Sequence, residues 1–411
     1  MIGFSRLTLS NWRQFDQVDI DLSKQVTVLT GQNGSGKTTI LNLLNRHFGW
    51  SLQFVSTPYY GKKTKRFWSD IWRSQAEIDA EPNQNSQFLV GRIEYTAGGA
   101  CDMWTTTIVK AQYQLQYQAM QHVDGLYIPS HRPVATYNAV GQIPTDPTTA
   151  AQSYQQFQSF LAQAYGGGAA HNPGRIQKQS IISLAVFGEG NSSVQPDAQM
   201  RSVFDRFQEI LRRVMPPELG FHKLEVRMPE VVCVTESGDF SLDAMSGGVN
   251  ALFSIAWQIH MFGHDKQRFV ITIDEPENHL HPSMQRTLLP SLAAAFPNCS
   301  IIAATHSPFI VSSFPDANVY ALGRGDSGRI VSQLLDTSAL SRTPNDVLRE
   351  ILDVHSNLPV WVERQIAEVI ESTAPLDARE RARIVMEKLE RLGFAEAIVE
   401  YKRGDLDAAG H

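Results

Sequence analysis

The stretch Thr30–Thr39, TGQNGSGKTT, constrains this chain more than any other part of it. An apolar run, QVTVL, precedes it, and ILNLLNRHF follows. That layout is a strand, a glycine-rich turn and a helix. Residues Gly31–Thr38 satisfy G-x-x-x-x-G-K-[ST] in full. Glycines let successive backbone N–H groups point inward around an anion, and the helix that follows adds its positive N-terminal end. Asn33, Gly34, Ser35, Gly36 and Thr39 then form the cradle. Lys37 reaches the terminal phosphates, and Thr38 offers a hydroxyl to Mg²⁺.

Three further stretches take on meaning from their order. FVITIDEPE, residues 269–277, reads as a buried parallel strand ending in two acids. Asp274 is placed to hold Mg²⁺ through water, and Glu275 to orient or deprotonate an attacking water. DAMSGGVNAL, residues 243–252, puts Ser246, Gly247 and Gly248 before a helix, again an anion-facing arrangement. AATHSPFI, residues 303–310, sets His306 after an apolar strand, with the spacing to sense a terminal phosphate. An acidic strand end, a Ser-Gly-Gly linker and a lone structural histidine are each common alone. Their succession behind the glycine loop is not.

Bulk properties exclude several classes. At 411 residues the chain exceeds one ordinary core, so two or more lobes are expected. A net charge of −6 argues against a wholly basic nucleic-acid binder. The three cysteines, Cys101, Cys233 and Cys299, form no CxxC pair, which argues against a disulfide framework or a zinc site. The N-terminus lacks a continuous apolar signal segment, and no apolar run approaches the roughly 18 residues of a membrane span. A cytoplasmic location and no membrane contact are expected.

Periodicity predicts strands at 2–9, 17–22, 25–30, 87–96, 102–110, 113–119 and 125–129, with a helix at 37–48. Residues 136–196, rich in Gln, Ala, Gly, Ser and Pro, read as an insertion with one or two helices and mobile joints. An amphipathic helix at 198–215 is ended by Pro216-Pro217, and strands follow near 222–235. Helices at 247–262 and 282–296 alternate with the strands RFVITID and SIIAAT. From about Asp336 the chain turns helical. Val362, Ile366, Val369 and Ile370 share one face; Ala378, Ala382, Val385, Leu389 and Leu392 share another, with Asp377 as N-cap and Gly393 as stop. The expected division is 1–135, an N-terminal lobe with the glycine loop; 136–215, the helical insertion; 216–335, a second lobe with the acidic strand and His306; and 336–411, a helical C-terminal domain.

The four motifs in this order resemble ABC-type ATPases over residues 1–330, and the SMC-, RecF- and OLD-like branch rather than the transporters. NWRQF, Asn11–Phe15, resembles the N-terminal turn of that branch, which implies Arg13 as a nucleotide contact. MSGGVN stands where the ABC signature stands. IDEPENHLHP resembles the fused acidic motif and D-loop, with His281 where transporters carry Asp. One departure is the Q-loop: IPSHRP, residues 128–133, occupies its place without a glutamine, leaving Ser130, His131 or Arg132 as candidates. The resemblance implies an α/β ABC-ATPase head, with a P-loop parallel sheet core, an antiparallel β lobe, a helical insertion and a small C-terminal helical appendage. It also implies ATP and Mg²⁺ as cofactors, with hydrolysis to ADP and phosphate. Each chain would bind ATP in its own glycine loop and cap that of a second chain with Ser246-Gly247-Gly248, giving a homodimer or higher homo-oligomer.

Two features bear on partners. YYGKKTKRFW, residues 59–68, gathers Lys62, Lys63, Lys65 and Arg66 between aromatics, a pattern that suits a nucleic-acid backbone and equally suits a solvated loop anchored in the core. The tail from RTPNDVLREILDV onward resembles the helical tails of PtuA-like ATPases, which work beside a nuclease in bacterial defence. No nuclease constellation is legible in the chain, so the resemblance implies a separate effector. The competing expectation is a RecF- or SMC-like DNA-repair ATPase without a toxic partner.

Overall fold

The structure is a computed structural model. It describes residues 2–50, 53–60, 65–69, 85–132, 137, 139–143, 148–165 and 173–336, and in the C-terminal part 347, 361, 364, 368, 371 and 378–391. Met1–Asp353 forms one compact unit and Val354–His411 a second.

The chain opens with β1 (Phe4–Trp12) and β2 (Phe15–Asp21), then β3 (Val26–Thr30), the glycine loop and α1 (Lys37–Asn45). Short strands β4 (Phe54–Val55), β5 (Thr57–Tyr60) and β6 (Lys65–Trp68) come next. They are followed by β7 (Gln87–Tyr95), β8 (Ala100–Thr106), β9 (Ile108–Val109), β10 (Gln112–Tyr113), β11 (Gln116–Gln118) and β12 (Gly125–Ile128). Three helices follow: α2 (Ala150–Tyr165), α3 (Pro173–Glu189) and α4 (Ala198–Val214). The meander β13 (Phe221–Arg227), β14 (Glu230–Thr235) and β15 (Phe240–Ser241) leads into α5 (Gly247–Gly263). The unit continues through β16 (Phe269–Asp274), α6 (Pro282–Ala295), β17 (Cys299–Ala304), α7 (Pro308–Val311), β18 (Asn318–Arg324) and β19 (Ile330–Leu334).

Eleven strands make one mixed sheet in the order β11-β8-β7-β1-β2-β19-β18-β3-β17-β16-β12. From β18 to β12 every pairing is parallel, and from β2 to β11 every pairing is antiparallel. The two arrays are stitched by β19, which is antiparallel to β18 and parallel to β2. The parallel core and antiparallel lobe expected from sequence are therefore one continuous sheet. The stitch was not legible: β18 and β19 lie in a segment the periodicity reading passed over.

Alternation along the central strands serves both faces. Val26 and Val28 of β3, Ile271 and Ile273 of β16, and Ile301 and Ala303 of β17 enter one core. Leu29, Val270, Ile302 and Ala304 enter the other, with α1 and the antiparallel strands. Strands buried on both faces read as unbroken apolar runs, as a covered parallel sheet requires. Helix α1 is tied down where Thr272 of β16 donates to Asn45 Oδ1 at 2.6 Å, a fully buried pair.

The segment expected as an insertion with mobile joints contributes two helices, α2 and α3, to the first core, and the expected amphipathic helix follows as α4. Phe157, Leu161, Ile181 and Ile182 are buried there. So is the α4 face Met200, Val203, Phe207, Ile210, Leu211 and Val214, at helical spacing. Asp197 caps α4 by accepting from the N–H groups of Gln199 and Met200. Lys178 of α3 is buried against Asp243 (2.6 Å) and Glu230, with Tyr137 across its ammonium. Burial alone would lower its pKa; the hydrogen bonds it donates to Asp243 and Glu230 reverse this and hold it above the ordinary value. This ion cluster fastens α3 to the segment that leads into α5.

Part of the basic stretch forms an antiparallel pair, β5 with β6, and Trp68 is buried. Lys62 and Lys63 lie outside the described residues, as do Val362, Ile366, Val369, Ile370, Asp377, Leu392 and Gly393. Of the expected C-terminal helices, α8 (Ala378–Arg391) is described. Among the described residues no helix is long and apolar enough to cross a membrane.

Candidate nucleotide site

The glycine loop links β3, which lies between β18 and β17, to α1. Gly31 has φ 140°, and a Cβ there would sit 2.4 Å from the carbonyl oxygen of Leu322 on β18. Gly36 has φ 96°, and a Cβ there would strike Phe15 Cζ at 2.4 Å and Gln14 Nε2 at 2.5 Å. Both positions demand glycine for conformation and for space. The second contact shows what the N-terminal turn does, since Gln14 and Phe15 press on the loop from above. Arg13 of that turn has φ 52°. Its guanidinium donates to the Val55 carbonyl at 3.1 Å and lies over the rings of Trp12 and Phe54. The turn touches the loop through Gln14 and Phe15, while Arg13 is bonded to β4.

Lys37 is buried, with Nζ donating to the carbonyls of Gly31 (2.8 Å) and Gln32 (3.0 Å). Burial pushes its pKa down to about 8 against the opposing charges of Asp274, Glu275 and Glu277. Ser35 is buried, and Asn33 and Gly34 are exposed. Thr38 Oγ1 donates to Asp274 Oδ2 at 2.9 Å, joining the glycine loop to the end of β16. Burial raises Asp274 to about 6; the Thr38 bond opposes this, Glu275 reinforces it, Lys37 opposes it and Glu277 reinforces it.

Glu275 takes φ 45°, a left-handed conformation costly for a residue with a Cβ. Its N–H donates to the Ala304 carbonyl of β17 at 2.8 Å, and its Oε2 accepts from Asn278 Nδ2 at 2.8 Å. His306 follows β17, with Nδ1 3.5 Å from Lys37 Nζ. Burial, then the Lys37 charge, lowers its pKa, which favours a neutral ring at pH 7. Asn33, Glu275, Asn278 and His306 share an open cleft of about 540 Å³.

Two residues outside the sequence reading, Glu277 and Asn278, hold this geometry together with Arg132. Glu277 Oε1 accepts from the N–H groups of His306 (2.8 Å) and Ser307 (3.1 Å), locking the His306 segment to the loop after β16. Asn278 bridges Glu275 to the Ser130 carbonyl at 3.1 Å. Arg132 donates to the carbonyls of Glu275 (3.1 Å), Pro276 (3.4 Å) and Asn278 (3.1 Å). Of the three candidates in the Q-loop position, Arg132 thus binds the backbone that carries Glu275. The acid-x-acid-Asn spacing of DEPEN was the available signal for Glu277 and Asn278.

Ser246 precedes α5 as its N-cap residue, and Ser246 and Gly247 are exposed. A Cβ on Gly248 would meet the His279 carbonyl at 3.0 Å, so this end of α5 rests on the loop after β16. His281 caps α6, its ring accepting from the Ser283 N–H at 3.3 Å.

The residue set fits a nucleotide and a divalent cation. It offers one buried ammonium, a hydroxyl and a carboxylate in contact at the loop, and two glycines whose conformation and packing no other residue would allow. The raised Asp274 value has a measurable consequence. Between its unfolded value, 3.8, and about 6 the folded protein binds the extra proton, so stability falls as pH rises through this window. Without Mg²⁺, Asp274→Asn should gain on the parent by up to roughly 3 kcal/mol across that window in urea unfolding. A difference that is flat in pH would contradict the assigned burial of the charge.

Two family models match the chain: an AAA domain over residues 6–115, and over residues 197–312 an AAA domain family linked by its description to the AbiEii toxin of type IV TA systems. The retron Ec83 probable ATPase of Escherichia coli is 31% identical over 109 residues, 24% of this chain and 20% of that protein. The retron Vc95 probable ATPase of Vibrio cholerae serotype O1 biovar El Tor is 33% identical over 57 residues, 14% of this chain and 11% of that protein. The matches thus span a fifth or less of these relatives' length. Among solved structures, the SMC head domain from Thermotoga maritima covers 81% of this chain and 99% of its own, with 12% identity and a TM-score of 0.40. The Smc head domain with an extended coiled coil bound to the C-terminal domain of ScpA, from Pyrococcus furiosus, covers 82% and 97%, with 15% identity and a TM-score of 0.42. At such scores the fold assignment rests on the strand order described above and not on these neighbours. With the glycine loop, the acidic strand and the His306 segment assembled on one sheet and an AAA-domain match within each half, the chain has the α/β fold and site layout of an ABC-type ATPase head.

Proposed function

We propose that this protein binds ATP with Mg²⁺, hydrolyses it, and uses the cycle to close on a second copy of itself and gate an effector protein, a nuclease, in bacterial antiphage defence. The observation that carries the ATPase reading is the Thr38–Asp274 hydrogen bond, with the strained Glu275 as the next residue. In this reading Lys37 and the loop N–H groups of residues 33–39 hold the phosphates. Thr38 and Asp274 hold the cation, whose chemistry is to draw charge from the phosphate oxygens. Glu275 Oε2, oriented by Asn278, takes a proton from the attacking water. His306, fixed by Glu277, reports on the terminal phosphate through its proximity to Lys37. Arg13 acts as the turn's nucleotide contact once its bond to Val55 is exchanged.

Closure on a second copy is supported by the exposure of Ser246 and Gly247 at the start of α5, where first-turn N–H groups lack an intrahelical partner. Defence is supported by the AbiEii-linked family and the retron ATPase matches. The C-terminal unit is proposed as the effector's dock, and residues 59–68 as a DNA contact. The test is a phage challenge of cells carrying the chain with its flanking genes. Protection lost in Lys37→Ala is the expected result. Protection by neither form, with sensitivity to DNA damage on deletion instead, would move the protein to DNA repair.

A further inference from the structure

A cavity of about 210 Å³ lies under the start of α5, and no residue of the glycine loop is among its walls. Phe157 and Leu161 of α2 form its apolar side, both buried. Its polar side carries side-chain amides, with Ser254, Arg132, His131 and His279 also on the walls. Gln177 of α3 faces Asn250, Ser254 and Gln258, which recur every four residues along α5 and so share one face. Gln177 and Gln258 are each 4% exposed. Gln177 Nε2 donates to Ser254 Oγ at 3.0 Å; Gln258 Nε2 donates to the Ser254 carbonyl at 3.2 Å and to Oγ at 3.3 Å. Both amides therefore have their nitrogens engaged on the same residue. Gln258 Oε1 is buried and has no hydrogen-bond partner. Leaving a buried acceptor unmet costs about 1–3 kcal/mol, so a donor from outside the chain is the economical explanation.

The walls narrow what that donor belongs to. None of the described lining residues carries a carboxylate, which disfavours a cation or an amine. The one guanidinium, Arg132, is engaged with backbone carbonyls, which disfavours a polyphosphate. Side-chain amides beside an aromatic ring are the means by which proteins read the edge and face of a flat heterocycle. The volume exceeds the ~150 Å³ that accepts benzene and falls below the ~300 Å³ typical of drug-sized ligands. We propose that this cavity binds a free purine base, with Gln258 Oε1 accepting a hydrogen bond from the ring or exocyclic N–H. The base sits where Gly247, His279 and Arg132 converge, and so braces the start of α5 against the loop that carries Glu275.

The experiment is calorimetric titration of the full chain with adenine and, separately, guanine, in saturating ADP so that the glycine-loop site is filled. One purine is expected to bind once per chain and to lose about tenfold or more in affinity in Gln258→Leu, the worth of one hydrogen bond. Asn250→Leu carries the same comparison should Gln258→Leu fail to fold. The proposal is overturned if neither purine gives a saturable isotherm, or if both folded variants bind as the parent does. Either result leaves the ATPase reading standing, because the glycine-loop residues take no part in the walls.

Discussion

Lys37→Ala is expected to weaken ATP binding by on the order of 10²–10³-fold. Removing one partner of a buried, hydrogen-bonded charge pair costs about 3–5 kcal/mol. The ammonium is well placed for this role. It is buried under the loop, it bonds the loop's own carbonyls, and burial already holds its pKa at about 8. A terminal phosphate offers a stronger acceptor than a carbonyl, and it restores the charged form that burial disfavours. Titration with a fluorescent ATP analogue reads the loss, with the melting temperature as the folding control. Hydrolysis at the parental rate in Lys37→Ala would remove the glycine loop from the site.

Glu275→Gln should leave ATP and Mg²⁺ bound and slow hydrolysis by the roughly 10²–10⁴-fold that a positioned general base supplies. The amide keeps the carboxylate's shape and can still accept the Asn278 hydrogen bond at 2.8 Å, but it cannot take a proton. Asp274 and Thr38 are untouched, so the cation site survives. The φ of 45° at Glu275 is the same burden for Gln, and the loop geometry is preserved. Single-turnover phosphate release separates the outcomes: unchanged affinity with a slow chemical step supports the role, and a parental rate transfers it to another group.

The site was legible in sequence wherever a local pattern carried the chemistry. The glycine loop, Asp274, Glu275 and His306 lie at strand ends, and strand ends can be read from short apolar runs. What was not legible depends on partners distant in the chain. β18 and β19 flank a tight Gly325–Gly328 turn, and their place between β3 and β2 follows only from the assembled sheet. The Leu322 carbonyl over Gly31 is a consequence of that place. Arg132 reaches the Glu275 loop across some 140 residues of sequence, a contact no spacing rule exposes. The 150–189 helices misled for a different reason. The Gln-, Gly- and Ser-rich composition of their segment suggests mobile joints, yet Phe157, Leu161, Ile181 and Ile182 enter the first core beside the helix that periodicity places at 198–215.

Head-to-tail closure around ATP is the central claim. It is tested most directly by the solution mass of Glu275→Gln, by light scattering with Mg²⁺ and ATP, beside the same protein carrying Ser246→Arg. Ser246 is exposed and precedes α5, so Ser246→Arg is aimed at the surface offered to a second copy. The account predicts that ATP raises the mass of Glu275→Gln and that the added Ser246→Arg abolishes the rise while ATP still binds. Equal masses for the two proteins in ATP would contradict it.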